Sequence, residues 1–276
     1  MGRLFADTDQ AVENELIARL RQVPSWRKLD MMAQLSAATR HLMLIGLRER
    51  HPGASPAQLR RRLAHMLYGS NLPDTLLLTQ EPMDNITPEP IRVMLDVTGI
   101  LEALDITYVV GGSLAAALHG VSRATIDVDL VVALRPEHVA PLLAALGSDY
   151  YADEPTIREA VADRGSFNLI HLPTLFKVDV FVTTRRPFDA LQLQRRERRT
   201  VTQEGRAAYL LSAEDSVLAK LDWHQRGGGA SARQWQDVLS VLLAQGDRID
   251  LTYLRAAAAD LGVAALLERA LRESNP

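Results

Sequence analysis

Asp127, Asp129 and Asp179 stand in two stretches whose residues alternate like β-strands. In the first, 127–134, the period of two puts Asp127, Asp129 and Val131 on one face and Val128, Leu130 and Val132 on the other. The apolar face has a packing role. The two aspartates project together, and like charges this close raise each other's pKa unless a cation sits between them. An all-oxygen donor set suits Mg²⁺ or Mn²⁺ better than zinc. The second stretch, 175–183, repeats the pattern, with Val178, Val180 and Val182 on one face and Lys177, Asp179 and Phe181 on the other. If the strands are neighbours with apolar faces aligned, Asp179 lies beside the first pair. Three carboxylates can hold two metal ions ~3.5–4 Å apart, an arrangement used for in-line displacement at phosphorus.

Upstream, Tyr108-Val109-Val110 is a short apolar strand that runs into Gly111-Gly112-Ser113 and an alanine-rich helix to His119. Glycines let the backbone approach a ligand closely, and a helix N-terminus offers free N–H groups and partial positive charge to phosphate. Ser113 either caps the helix or donates to a phosphate oxygen.

These residues must be placed by a larger frame. Residues 7–70 read as helices, with Ser55-Pro56 starting the third by N-cap and first-turn proline. Residues 71–90 are punctuated like a linker, and a boundary is expected near 85. A helix over about 89–104 precedes the first strand, and 136–146 is another. Segments 166–171 and 175–183 form a hairpin turning at Pro173-Thr174. From Ser212 onward the chain is helical: 212–226, 231–244, 251–261 and 263–272. The expected architecture is α+β: an N-terminal helical module (1–85), a small mixed-sheet core with flanking helices (86–204) and a C-terminal helical bundle (205–276).

Gly112-Ser113, thirteen intervening residues, Asp127-Val128-Asp129-Leu130 and the later Asp179 resemble the polymerase-beta type nucleotidyltransferase superfamily. The fuller string, with His119-Gly120 and Ser122-Arg123-Ala124-Thr125-Ile126 before Asp127, is similar to the minimal nucleotidyltransferases, especially the AbiEii-like branch of toxin–antitoxin systems. The likeness extends to Ser212-Ala213-Glu214-Asp215, Lys220-Leu221, Arg233-Gln234 and Asp237, and leaves the first 85 residues unmatched. It implies a nucleotidyltransferase core and transfer of a nucleoside monophosphate from a nucleoside triphosphate (NTP) to an acceptor hydroxyl. Asp127 and Asp129 would bind metal and triphosphate, and Asp179 would complete the metal site and act on the acceptor. Gly112 and Ser113 would hold the β and γ phosphates. Lys220 would be a triphosphate contact. The implied partners are an RNA or protein acceptor and an antitoxin, with a small acceptor of aminoglycoside type, or a non-catalytic nucleotide-binding protein, as alternatives.

Other residues have plainer readings beside the chemical ones. Arg123 neutralises the carboxylates or the nucleotide, or makes a structural salt bridge. Thr125 is a strand-entry residue. Glu214 and Asp215 suit a capped first turn after Ser212. Asp237 pairs with Lys220 or another base. His119 sits where helix C-caps form. Trp223 and Trp235 read as core, base stacking being the alternative. Arg185-Arg186, Arg195-Arg196 and Arg198-Arg199 are solvated surface or a track for a nucleic-acid backbone.

Composition fits this frame. The 276 residues are 47% hydrophobic and 24% charged, as in an ordered globular chain, and the net charge of -3 gives no global pull toward nucleic acid. Without cysteine there is no disulfide, thiolate metal site or cysteine nucleophile. No stretch approaches the ~18 apolar residues of a membrane span, and a cytoplasmic protein is expected.

Overall fold

The computed structural model describes residues 9–69, 90–229 and 231–274. Of the linker expected over 71–90, all but Pro90 lies outside the described residues, as does the boundary near 85. Pro90 opens a helix.

Three helices come first: α1 (Gln10–Gln22), α2 (Ser25–Arg50) and α3 (Pro56–Tyr68). Ser55 caps α3 in a reciprocal capping box with Gln58, and Pro56 occupies the first turn, as its residues require. Helix α4 (Pro90–Ala103) leads into β1 (Tyr108–Val110). Then come α5 (Gly112–His119), β2 (Asp127–Val132), α6 (Val139–Leu146), β3 (Tyr150–Tyr151), α7 (Glu154–Asp163), β4 (Ser166–His171) and β5 (Phe176–Val182). Helix α8 (Pro187–Gln194), β6 (Glu197–Thr200) and β7 (Ala207–Leu210) follow. Four helices end the chain: α9 (Ala213–Arg226), α10 (Ala232–Gln245), α11 (Leu251–Asp260) and α12 (Ala264–Ser274). The architecture is α+β.

One mixed sheet of seven strands runs in the order β3-β4-β5-β2-β1-β7-β6. Its centre is the parallel pair β2–β5, flanked by antiparallel β1 and β4. Strand β7, downstream of residue 204, is the parallel neighbour of β1. On β2, Val128, Leu130 and Val132 are fully buried while the alternate residues are half-buried. Strand β5 shows the same alternation. The buried valines pack with Val93 and Leu101 of α4, Val139 and Leu142 of α6 and Ile157 of α7. Leu29 and Met32 of α2 belong to this same core. A second core joins α9, α10, α11 and α12 through Leu218, Leu221, Val238, Leu242, Leu254 and Leu267.

Candidate active site

The two aspartate strands are parallel neighbours, in a register that sets Asp129 beside Asp179 and Asp127 beside Lys177. Adjacent strands lie about 4.8 Å apart, so the facing carboxylates of Asp129 and Asp179 crowd one spot. Burial, then Asp127, then Asp179 push the Asp129 carboxyl up to about 7, against the pull of Lys220 and Lys177. Asp179 is also raised, first by burial, although Lys177 opposes the shift. Lys177 Nζ pairs with Asp179 Oδ2 at 2.7 Å. Asn168, opposite Asp179 on β4, donates to Oδ1 once its amide nitrogen is turned toward it. Asp127 Oδ1 accepts from Thr125 Oγ1 at 2.8 Å, so the strand-entry threonine orients the first carboxylate.

The glycine loop meets these strands directly. Gly111 N donates to Asp129 O at 2.9 Å. Gly112 has φ +56°, and a Cβ there would fall 1.6 Å from Asp129 Oδ2. The space a side chain would occupy is filled by the carboxylate, so only glycine fits.

Ser113, Arg123, Lys220 and Asp237 form one network behind the loop. Arg123 grips Asp237 through Nε to Oδ1 at 2.8 Å and Nη2 to Oδ2 at 2.7 Å, and Nη2 also donates to Ser113 Oγ at 2.9 Å. Ser113 does not cap α5; its oxygen is held by Arg123, which leaves its hydroxyl proton free for another acceptor. Lys220 Nζ donates to Asp237 Oδ2 at 2.7 Å and to Gln234 Oε1 at 3.2 Å. Two of its three N–H groups are thus engaged and one remains. Burial lowers the Lys220 ammonium's pKa even though Asp237 pulls the other way, while Asp237, against the cost of burial, is held low by Arg123 and Lys220.

A cleft of about 450 Å³ opens on this centre, between the strands' downstream ends and the last helices. Gly111, Gly112, Asp129, Phe181, Lys220 and Trp223 line it. Asp127, Asp179, Ser113 and Arg123 are not part of its wall. Among the described residues, no three His, Asp or Glu side chains are drawn together as a closed metal-ligand cluster. The three aspartates nevertheless share one face, and their all-oxygen donors and the repulsion that raises Asp129 suit a hard divalent cation.

Several secondary expectations change. Trp223 is not core: it is 50% exposed in the cleft wall, edge-on to Phe181 at 5.5 Å. Trp235 is buried. His119 does not cap its helix; its Nε2 lies 2.8 Å from Leu211 O. Arg195 stacks 3.6 Å over Tyr253 and faces Glu214 and Asp215, and Arg196 stacks on Tyr209 and donates to Leu193 O. Those two arginines are fastened to the protein and form no free basic track. Lys177 was legible on the aspartate face, two residues before Asp179 on the same strand, and the structure joins the two in an ion pair.

Residues 21–85 match the family model of Rv0078B-related antitoxins. The matched stretch spans the end of α1, all of α2 and α3, and residues beyond them. No curated protein matches the chain. Among solved structures, the antibiotic-resistance factor ANT(2'')-Ia superposes over 65% of this chain and 95% of its own, with a TM-score of 0.42 and 16% identity. A nucleotidyltransferase-like protein from Paracoccidioides brasiliensis covers 67% of this chain and 93% of its own, at TM-score 0.43 and 20% identity. Both superpositions are too loose to transfer residue roles. No helix among the described residues is long and apolar enough to cross a membrane.

Proposed function

We propose that this chain is a metal-dependent nucleotidyltransferase of the AbiEii-like branch, moving a nucleoside monophosphate from an NTP to a hydroxyl of RNA or protein. The observation that carries this reading is the in-register pairing of Asp129 with Asp179, with Asp127 two residues along and Gly112 made side-chain-free by the Asp129 carboxylate. Asp127, Asp129 and Asp179 would hold Mg²⁺ or Mn²⁺, which supplies charge neutralisation at the phosphates and lowers the pKa of a bound hydroxyl. Gly112 and Ser113 present the start of α5 to the phosphates, with the free Ser113 proton and the third N–H of Lys220 as donors. Arg123 holds the serine in place. The acceptor oxygen forms a bond to the α-phosphorus as the bond to the bridging oxygen breaks. Pyrophosphate leaves, and the acceptor's proton passes to Asp179. A cleft of about 450 Å³ is of ligand-pocket size.

The antitoxin match over 21–85 favours a toxin–antitoxin setting, with α2 and α3 as the antitoxin-type part. A small-molecule acceptor is the second reading; Asp189 and Asp222 in the cleft wall beside Asp129 are the acidic groups that a polycation such as an aminoglycoside would meet.

Incubation of the protein and cell extract with each α-phosphate-labelled NTP and Mg²⁺ tests this. Labelled RNA or protein is expected with wild type and at least 100-fold less with Asp127→Ala. Equal labelling would overturn the catalytic assignment, and label confined to small molecules would favour the second reading.

A further inference from the structure

Helices α2 and α3 are locked onto the two segments that introduce the aspartate strands. Before β2, Thr125 N donates to Ser36 Oγ at 3.0 Å and Ser122 Oγ donates to Lys28 O at 3.0 Å. Before β5, four consecutive turn carbonyls are taken by α2 and α3. Arg60 donates to Leu172 O and, at 3.3 Å, to Pro173 O. Arg40 donates to Thr174 O at 2.7 Å and Leu175 O at 2.9 Å, and Tyr68 donates to Leu175 O as well. Both arginines are only 1% exposed, and Leu175 is kept at φ +52°, a conformation an ordinary leucine avoids. Two buried arginines on one short turn are costly to desolvate and are not needed merely to close a hairpin.

The position of this clamp decides its meaning. The cleft reaches the carboxylates from the downstream side, past Gly112 and Lys220, where the triphosphate would lie. In-line displacement requires the acceptor to enter opposite the leaving pyrophosphate. That places it at the upstream side, where Asp127 and Lys177 stand side by side at the starts of β2 and β5 and where Arg40 and Tyr68 hold the turn before β5. Tyr68 is pushed upward by burial, is pulled back by Arg40, and feels the charges of Asp127 and Asp179.

We infer that the antitoxin-type helices are an intramolecular partner of the catalytic strands, in which Arg40, Arg60 and Tyr68 hold the β4–β5 turn closed against the acceptor. The inference rests on the nucleotidyl-transfer reading above. It assigns the matched segment a target within its own chain. The nucleotide side stays open, so the clamp restrains acceptor use and leaves nucleotide binding alone.

The test uses the full-length chain and two variants, Arg60→Gln and Tyr68→Phe, the second losing one hydroxyl and keeping the fold if the first does not. Binding of a fluorescent ATP analogue and of its GTP counterpart with Mn²⁺ is measured beside acceptor labelling in extract. Each folded variant is expected to label acceptor at least 10-fold faster than wild type, with nucleotide affinity within 2-fold. Labelling at or below the wild-type rate in a folded variant that still binds nucleotide would overturn the clamp and leave the transfer reading standing. Absence of nucleotide binding in wild type and variants alike would overturn both.

Discussion

Gly112 is fixed by its neighbour rather than by its own turn alone. With φ at +56° and the Asp129 carboxylate in the space of a Cβ, Gly112→Ala must move the strand or the aspartate. Left-handed backbone by itself costs an alanine about 1–2 kcal/mol. We expect a loss of at least that much stability in urea unfolding, and transfer activity down more than 100-fold. Asp129 makes a second prediction. Its carboxyl is raised from 3.8 to about 7 in the metal-free fold, so between those values the folded state holds a proton that the unfolded chain has released. Stability from this group is therefore present at low pH and lost as pH rises through that window. Asp129→Asn should flatten that part of the pH profile of the melting temperature and make the metal-free protein more stable than wild type at pH 8. An unchanged profile would show that the carboxylate crowding is relieved in some other way. At this scale much was legible. Alternation along 127–134 and 175–183 places three aspartates on polar faces without any structure, because strand periodicity alone decides it. The Gly112–Asp129 contact was not, because it depends on how distant segments approach.

The elements that carry these residues are tied by one acid. Asp237 on α10 binds Arg123 from the loop before β2 and Lys220 from α9, and through Arg123 it steadies Ser113 on α5. Lys220 and Asp237 have side chains only 5% and 8% exposed. Removing the acid leaves a buried ammonium unpaired, which typically costs 3–5 kcal/mol, about that size being expected for Asp237→Ala in chemical denaturation. Asp237 is held below its usual range, so its contribution is present above the unfolded value and fades as pH falls through the folded one. The Asp237→Ala deficit should therefore shrink in acid; a deficit constant with pH would point to lost packing instead. The capped helices α3 and α9 announced themselves through Ser55 and Ser212, since a cap is a local hydrogen bond. Helices α7 and α8 and strands β3, β6 and β7 did not. Strands β3 and β6 are the short edges of the sheet, and β6 is charged and largely exposed, with little apolar periodicity to read. The arginine runs misled for the same reason: whether Arg195 stacks on Tyr253 or faces solvent is a matter of tertiary packing.

At the scale of the whole molecule, the N-terminal helices and the aspartate strands share a core. Leu29 and Met32 pack with the strand valines, and Leu44, Leu47, Leu59 and Leu63 pack with Leu175. Sequence periodicity showed amphipathic helices there but not where their apolar faces would land, because the partner surface is formed by segments far away in the chain. What unites the chain is one claim, that Asp127, Asp129 and Asp179 with Gly112 and Ser113 hold a metal-bound nucleoside triphosphate. A crystal grown with Mn²⁺ and a non-hydrolysable NTP tests it most directly. The account predicts anomalous manganese density against Asp127 and Asp129, with the triphosphate along Gly112–Ser113 at the start of α5. Manganese or nucleotide bound elsewhere, with these carboxylates left uncoordinated, would contradict it.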